Sequence, residues 1–153
     1  MPILKSNYNP TGWRKNGQLQ TIFPGFFRKI TFDYTERERL DLPDGDFLDL
    51  DWKKNGNSNL VILGHGLEGS SQSSYMLGMA KYFNENGYDV LAWNHRSCSG
   101  EMNRSLRFYH HGVTDDLHEV VKHCAAYKNV HLVGFSLGGN LVLKYTGDRK
   151  SVV

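Results

Sequence analysis

Val130-His131-Leu132-Val133-Gly134-Phe135-Ser136-Leu137-Gly138-Gly139-Asn140 is the stretch on which the fold turns. An apolar run leads into Gly-x-Ser-x-Gly, and a helical pattern continues through Leu141 and Val142 to about Gly147. The spacing predicts a buried strand, a tight turn with Ser136 at its apex, and a helix. The glycines have a steric reason. A serine on a strained turn has its Oγ lifted above the sheet, and side chains at 134 or 138 would collide with neighbouring backbone. Gly139 lets the departing helix pack closely, and its first turn aims free N–H groups at a developing negative charge. Five residues of this kind also arise by chance in a chain with 16 glycines. The alternative is a glycine-rich strand–helix turn with an incidental serine, and the flanking pattern is what argues against it.

Working outward, Leu60 to Leu63 is a short apolar run, as expected of a strand buried on both faces. A helix is predicted over 73–86, where Met76, Met79, Ala80 and Phe83 share one face and Gly87 sits just past the end. Tyr88 to Trp93 is the next strand. Thr114 is placed to cap another helix, with Asp115 and Asp116 in its first turn and a buried stripe of Leu117, Val120, Val121 and Cys124. Before this region, Leu48, Leu50 and Trp52 alternate with Asp49 and Asp51, the period of a half-buried strand. Pro43-Asp44-Gly45-Asp46 supplies the turn that pairs this strand with the Leu40 and Leu42 arm. The expected architecture is α/β, one domain over 1–153. It has an irregular cover segment at 1–29, a β-hairpin at 30–52 and a β-α-β-α-β-α core at 58–147. The sheet is expected to be mostly parallel, with helices on both faces.

The loop Gly64-His65-Gly66-Leu67-Glu68-Gly69 directly follows the first buried parallel strand. In acyl-transfer sites of this layout, one oxyanion donor comes from this loop and the other from the residue after the nucleophile. The Leu67 and Leu137 backbone N–H groups are the candidate donors, and Gly66 allows a close approach to substrate. A mere loop bend at His65-Gly66 is the alternative.

Four segments resemble the YheT-like branch of the α/β-hydrolases: His65-Gly-Leu-Glu-Gly-Ser-Ser71, Asn94-His-Arg-Ser-Cys-Ser-Gly100, Tyr109-His-His-Gly-Val-Thr-Asp-Asp-Leu117 and Gly134-Phe-Ser-Leu-Gly-Gly-Asn140. Asn16-Gly-Gln-Leu-Gln-Thr21 and the stretch from Leu42 to Trp52 are similar to that branch too, so the resemblance runs from about Asn16 to Tyr145. It implies hydrolysis of carboxylic esters, lipid-like esters among them, by a Ser–Asp–His triad. The chain departs from that pattern. The triad order is serine, acid, histidine, whereas all seven histidines precede Ser136, and the one acid after it, Asp148, falls at the far end of the predicted helix. The resemblance therefore covers the N-terminal half of such a domain, truncated after the nucleophile helix. An inactive fragment and an acyltransferase or thioesterase of the same fold are the rival readings. Self-association of the fragment is expected on the same grounds.

Several residues of the chain offer local substitutes for the missing groups. His95, just past Trp93, is the best-placed base, against a loop histidine bonded to backbone. His110 and His111 beside Asp115 and Asp116 could suggest a metal, but adjacent histidines diverge and the two acids serve a helix N-terminus. Neither a metal nor any other cofactor is expected. Arg96 could hold an anionic group or a structural partner, and Glu68 could be functional or solvated. The chain has 18 Lys and Arg against 16 Asp and Glu, with 39% hydrophobic residues, which excludes an electrostatic case for nucleic acid and a disordered chain. Cys98 and Cys124 read as reduced thiols. No apolar run spans a bilayer, and Met1 to Pro10 lacks a signal-peptide layout, so a cytoplasmic chain is expected. Trp13, Leu19, Ile22, Phe23, Phe26 and Phe27 in the first thirty residues suit cover for a sheet edge. A peripheral membrane patch beside Arg28 and Lys29 is the alternative.

Overall fold

Residues 6–110 and 112–148 are described by a computed structural model, in which the strand–turn–helix grammar becomes a five-stranded sheet in the order β1-β2-β4-β3-β5. The strands are β1 (Glu36–Asp41), β2 (Phe47–Lys53), β3 (Asn59–Gly64), β4 (Asp89–Trp93) and β5 (Asn129–Gly134). β1–β2 and β2–β4 pair antiparallel, β3–β4 and β3–β5 parallel, so the sheet is mixed and holds the expected hairpin and the expected parallel set. The second strand of the β1–β2 hairpin joins the edge of the parallel set through β4.

The described residues hold four α-helices, of which the last three follow the pattern: α1 (Gly17–Phe27), α2 (Ser74–Glu85), α3 (Asp115–His123) and α4 (Leu137–Asp148). Period-2 alternation sorts the strands onto two faces. Leu60, Ile62, Leu91 and Trp93 pack with Leu117, Val120 and Cys124 of the α3 region and Leu141 and Tyr145 of α4. Val61, Leu63, Val90 and Ala92 pack with Met76 and Ala80 of α2 on the other face. Helices thus cover both faces, as expected.

Four local expectations need correction. Asp49 and Asp51 are buried, not on a wet face, because Arg39 and Arg37 of β1 lie opposite them and fork onto their carboxylates at 2.7–3.1 Å. Burial opposes ionisation, yet these guanidinium bonds hold both carboxyls below the usual range. β5 is only partly buried, since β3 is its one neighbour among the described residues. Thr114 makes no side-chain cap: its backbone is helical, which turns its hydroxyl from the orphan N–H groups.

The fourth correction concerns the first residues. The expected irregular cover holds a helix: residues 6–30 cluster as one compact unit and the described residues from 31 onward as another. Unit one holds a short 3-10 turn at Gly12–Lys15 and helix α1. The Asn16 side chain caps α1 by accepting the Gln18 and Leu19 N–H groups at 3.0 and 3.3 Å, and the helix continues through Pro24. No described residue of this unit is buried.

Candidate active site

The parallel strands β4, β3 and β5 are neighbours, and all three release their following loops on one rim of the sheet. Ligand sites of open α/β sheets form at such a rim. The three non-glycine residues with positive φ among those described are Glu68 (54°), Ser97 (61°) and Ser136 (50°), one in each loop. Backbone strain of this kind collects at functional sites.

Ser136 is exposed at the apex between β5 and α4. The turn is tied by Phe135 N–H to the Gly64 carbonyl (3.0 Å), Gly138 N–H to the Phe135 carbonyl (2.9 Å) and Asn140 N–H to the Ser136 carbonyl (3.0 Å). Its glycines are sterically compelled. A Cβ at Gly134 would overlap the Gly138 carbonyl, and one at Gly138 would lie 2.5 Å from the Gly64 carbonyl oxygen. Gly139 has the Gly134 carbonyl oxygen 3.0 Å from its Cβ position, and Gly64 has the Trp93 Nε1 at 2.9 Å.

The β3 loop comes directly against this serine: a Cβ at Gly66 would stand 3.3 Å from Ser136 Cβ and 3.4 Å from the Phe135 carbonyl oxygen. Two tyrosines pin the loop. Gly66 N–H donates to the Tyr75 hydroxyl (3.1 Å) and Glu68 N–H to the Tyr109 hydroxyl (2.9 Å). Among the described residues, no hydrogen bond occupies the Leu67 or Leu137 N–H. Both tyrosines escaped the sequence reading, because they lie 9 and 41 residues from their partners and carry no offset signal.

Underneath sits His65, fully buried, whose Nδ1 bonds the Gly66 carbonyl at 2.7 Å. His95 is buried beside it with its ring stacked on Tyr109 and its Nε2 on the His65 carbonyl at 3.0 Å. Burial, aided by repulsion from His65, pushes the His95 pKa down to about 3, and burial lowers that of His65 as well. His95 is therefore a backbone-bonded loop histidine. No histidine is bonded to the Ser136 hydroxyl among the described residues.

Arg96 is structural too. It forks onto Asp116 (2.8 Å twice) and reaches Asp46 (3.0 Å) and Asp44 (2.9 Å), so four of its five N–H donors are committed to these carboxylates. Asp115 and Asp116 face Arg107 and Arg96, which accounts for both acids of the supposed metal cluster. His111 lies outside the described residues, as do Met1 to Lys5 of the leader reading. Asp148 ends α4, about 18 Å along the helix from Ser136 at 1.5 Å per residue. Beside the β3 loop runs a groove of about 680 Å³, bordered by Leu67, Glu68, Cys98, Met102, Phe108 and Tyr109.

Comparison with known proteins agrees with this layout. Residues 59–153 match the family described as the alpha/beta hydrolase fold. The chain is 37% identical to the Escherichia coli protein YheT, which carries an esterase name, over 83% of its own length and 39% of that protein's. It is 32% identical to the human phospholipase ABHD3 over 95% of the chain and 39% of that protein. The chain thus spans about two fifths of the length of these relatives. Among solved structures, the Pyrococcus furiosus esterase Pf2001 superposes with a TM-score of 0.69 at 23% identity, covering 80% of this chain and 47% of that one. No helix among the described residues is long and apolar enough to cross a membrane. A Gly-x-Ser-x-Gly turn on the rim of a helix-flanked sheet and a family match over most of the chain lead to one conclusion: the chain belongs to the α/β-hydrolase fold family.

Proposed function

We propose that this chain carries the nucleophile and the oxyanion hole of a serine hydrolase of carboxylic esters. Ser136 attacks the acyl carbonyl, and the Leu67 and Leu137 N–H groups receive the oxyanion of the tetrahedral intermediate. Gly64, Gly66, Gly134, Gly138 and Gly139 permit the close approach of the two loops, and His65 stiffens the first. One observation carries this reading: Ser136 stands exposed at φ 50° with the Gly66 loop packed against its Cβ. Each oxyanion donor of this kind contributes about 3 kcal/mol to the transition state.

Ser136 needs a base to become a nucleophile. His95 is committed to the His65 carbonyl, and in this reading the histidine and its acid belong to the remainder over which the relatives are longer. Lipid-like esters suit the groove, where Leu67, Met102 and Phe108 present exposed apolar side chains to a hydrocarbon chain. The relatives named as a phospholipase and a monoacylglycerol lipase support that class. Free thiols at Cys98 and Cys124 suit the cytoplasm.

The test is labelling of the whole protein with a fluorophosphonate probe, followed by peptide mass spectrometry and an ester panel. Modification at Ser136, lost with hydrolysis in a folded Ser136→Ala variant, is the expected result. Turnover that survives Ser136→Ala overturns the assignment.

A further inference from the structure

We propose that α1 docks on the surface of an anionic lipid bilayer. Leu19, Ile22, Phe23, Phe26 and Phe27 fall at i, i+3, i+4, i+7 and i+8, one continuous stripe along the helix. Thr21 lies on the opposite face, and Gln18 and Gln20 border the stripe. In a globular protein such a stripe faces a core, yet here Ile22 is 51%, Phe26 80% and Phe27 67% exposed. The stripe is also organised. Trp13 packs on Phe23 and Phe23 on Phe27, each with ring centroids 4.7 Å apart, which makes an aromatic ledge along the helix.

Charge identifies the partner. All 16 acidic residues of the chain lie from Asp33 onward, whereas Lys5, Arg14, Lys15, Arg28 and Lys29 precede it. Arg14 and Lys15 stand just before α1, and Arg28 and Lys29 just after it. Long cationic side chains at both ends can reach headgroup phosphates while the stripe enters the acyl boundary. A second copy of this unit would bring like charge against like. An 11-residue helix is only about 16 Å long, too short for the roughly 30 Å hydrocarbon core, so it lies in the plane of the interface. This inference is independent of the chemistry at Ser136.

The experiment is sedimentation of the 153-residue chain with vesicles of phosphatidylcholine, with and without phosphatidylserine, at low and high salt. Trp13 is the reporter, because it is 47% exposed while Trp52 and Trp93 are buried. Binding to phosphatidylserine vesicles, a blue shift of the tryptophan emission and weakening by salt are expected. Phe26→Ser with Phe27→Ser removes binding at unchanged circular dichroism. Arg28→Gln with Lys29→Gln lowers affinity for the anionic vesicles about 30-fold and spares the stripe. Absence of vesicle binding overturns the proposal, as does binding indifferent to both pairs of substitutions. Light scattering without lipid separates the remaining case: a dimer that Phe26→Ser with Phe27→Ser dissolves, with no vesicle binding, gives the face to a second copy and refutes a lipid partner.

Discussion

Each imidazole of the His65–His95 pair bonds to the other residue's backbone: His65 Nε2 accepts the His95 N–H at 3.0 Å, and His95 Nε2 donates to the His65 carbonyl at 3.0 Å. The exchange fixes both tautomers. His65 keeps its proton on Nδ1 for the Gly66 carbonyl, and His95 is left with a bare, buried Nδ1 that has no partner among the described residues. Both rings are therefore neutral, and the loop bearing Leu67 rests on them.

A pH dependence follows from that neutrality. The folded-state pKa of His95 is pushed down to about 3 from an ordinary 6.5, and that of His65 is lowered too. Below 6.5 the unfolded chain takes up protons that the folded one refuses, so stability falls with pH, by up to about 1.4 kcal/mol per pH unit for each group. It is fully present above 6.5 and is lost as pH falls toward 3. The depressed carboxylates add their own loss only below about pH 4. Urea midpoints are expected to drop between pH 7 and 5, and His95→Phe should make that drop smaller while lowering the midpoint at pH 7. Equal midpoints at pH 7 and 5 would contradict the buried neutral pair.

The glycines of the two loops should separate folding from catalysis. A methyl at Gly134 or Gly138 meets backbone that cannot swing aside, so Gly134→Ala and Gly138→Ala are expected to cost about 3 kcal/mol or more. Gly66→Ala meets Ser136 Cβ at 3.3 Å and the Phe135 carbonyl at 3.4 Å, contacts that a few tenths of an ångström relieve. It should unfold within about 1 kcal/mol of wild type yet lower kcat in the whole protein about 10²-fold, with the larger Gly66→Val at least as damaging. Denaturant curves and single-substrate kinetics check both halves. A stable Gly138→Ala, or a fully active Gly66→Val, would break the assignment of roles.

Local chemistry was legible in the sequence; long-range chemistry was not. Gly134, Ser136 and Gly138 announce themselves because their constraint acts within five residues. Gly64 and Gly66 follow because a parallel strand must deliver its loop to the same rim. The pairing of Arg39 with Asp49 could not be read, since alternation marks Asp49 as polar without saying that a cross-strand guanidinium covers it. Helix α1 was hidden by Gly17, Pro24 and Gly25, although the stripe from Leu19 to Phe27 and the Asn16 cap were already there. Breaker residues oppose a helix locally, whereas the Asn16 cap and the Trp13–Phe23–Phe27 ring contacts that favour it are made only in the folded segment.

Arg96 should matter to the fold and not to an anionic ligand. It is 2% exposed and neutralises Asp46 and Asp116, themselves buried. Arg96→Met strands those carboxylates and is expected to cost about 3–5 kcal/mol. Arg96→Lys recovers only part, because an ammonium cannot fork onto Asp116 as the guanidinium does. Urea unfolding at neutral pH measures both. A stable Arg96→Met that merely raised KM would return Arg96 to substrate binding.

The outer edge of β5 carries the last prediction. Among the described residues β5 pairs only with β3, so one side of Asn129–Gly134 presents unpaired N–H and C=O groups. Such an edge is a template for another strand, and natural edges are blunted by lysine, proline or a bulge. Lys128 lies just before the strand, but within it Val130, Leu132 and Val133 are partly exposed and no charged residue or proline interrupts them. A chain of these 153 residues is therefore expected to self-associate through β5, with an apparent mass that rises with concentration in light scattering. His131→Lys places a charge on the exposed centre of the strand, where a flexible side chain can turn to solvent, and should shift the equilibrium toward monomer at unchanged circular dichroism. The effect should persist in Phe26→Ser with Phe27→Ser, which alters only α1. A chain that stays monomeric at every concentration, or an assembly indifferent to His131→Lys, would show that this edge is not where copies meet.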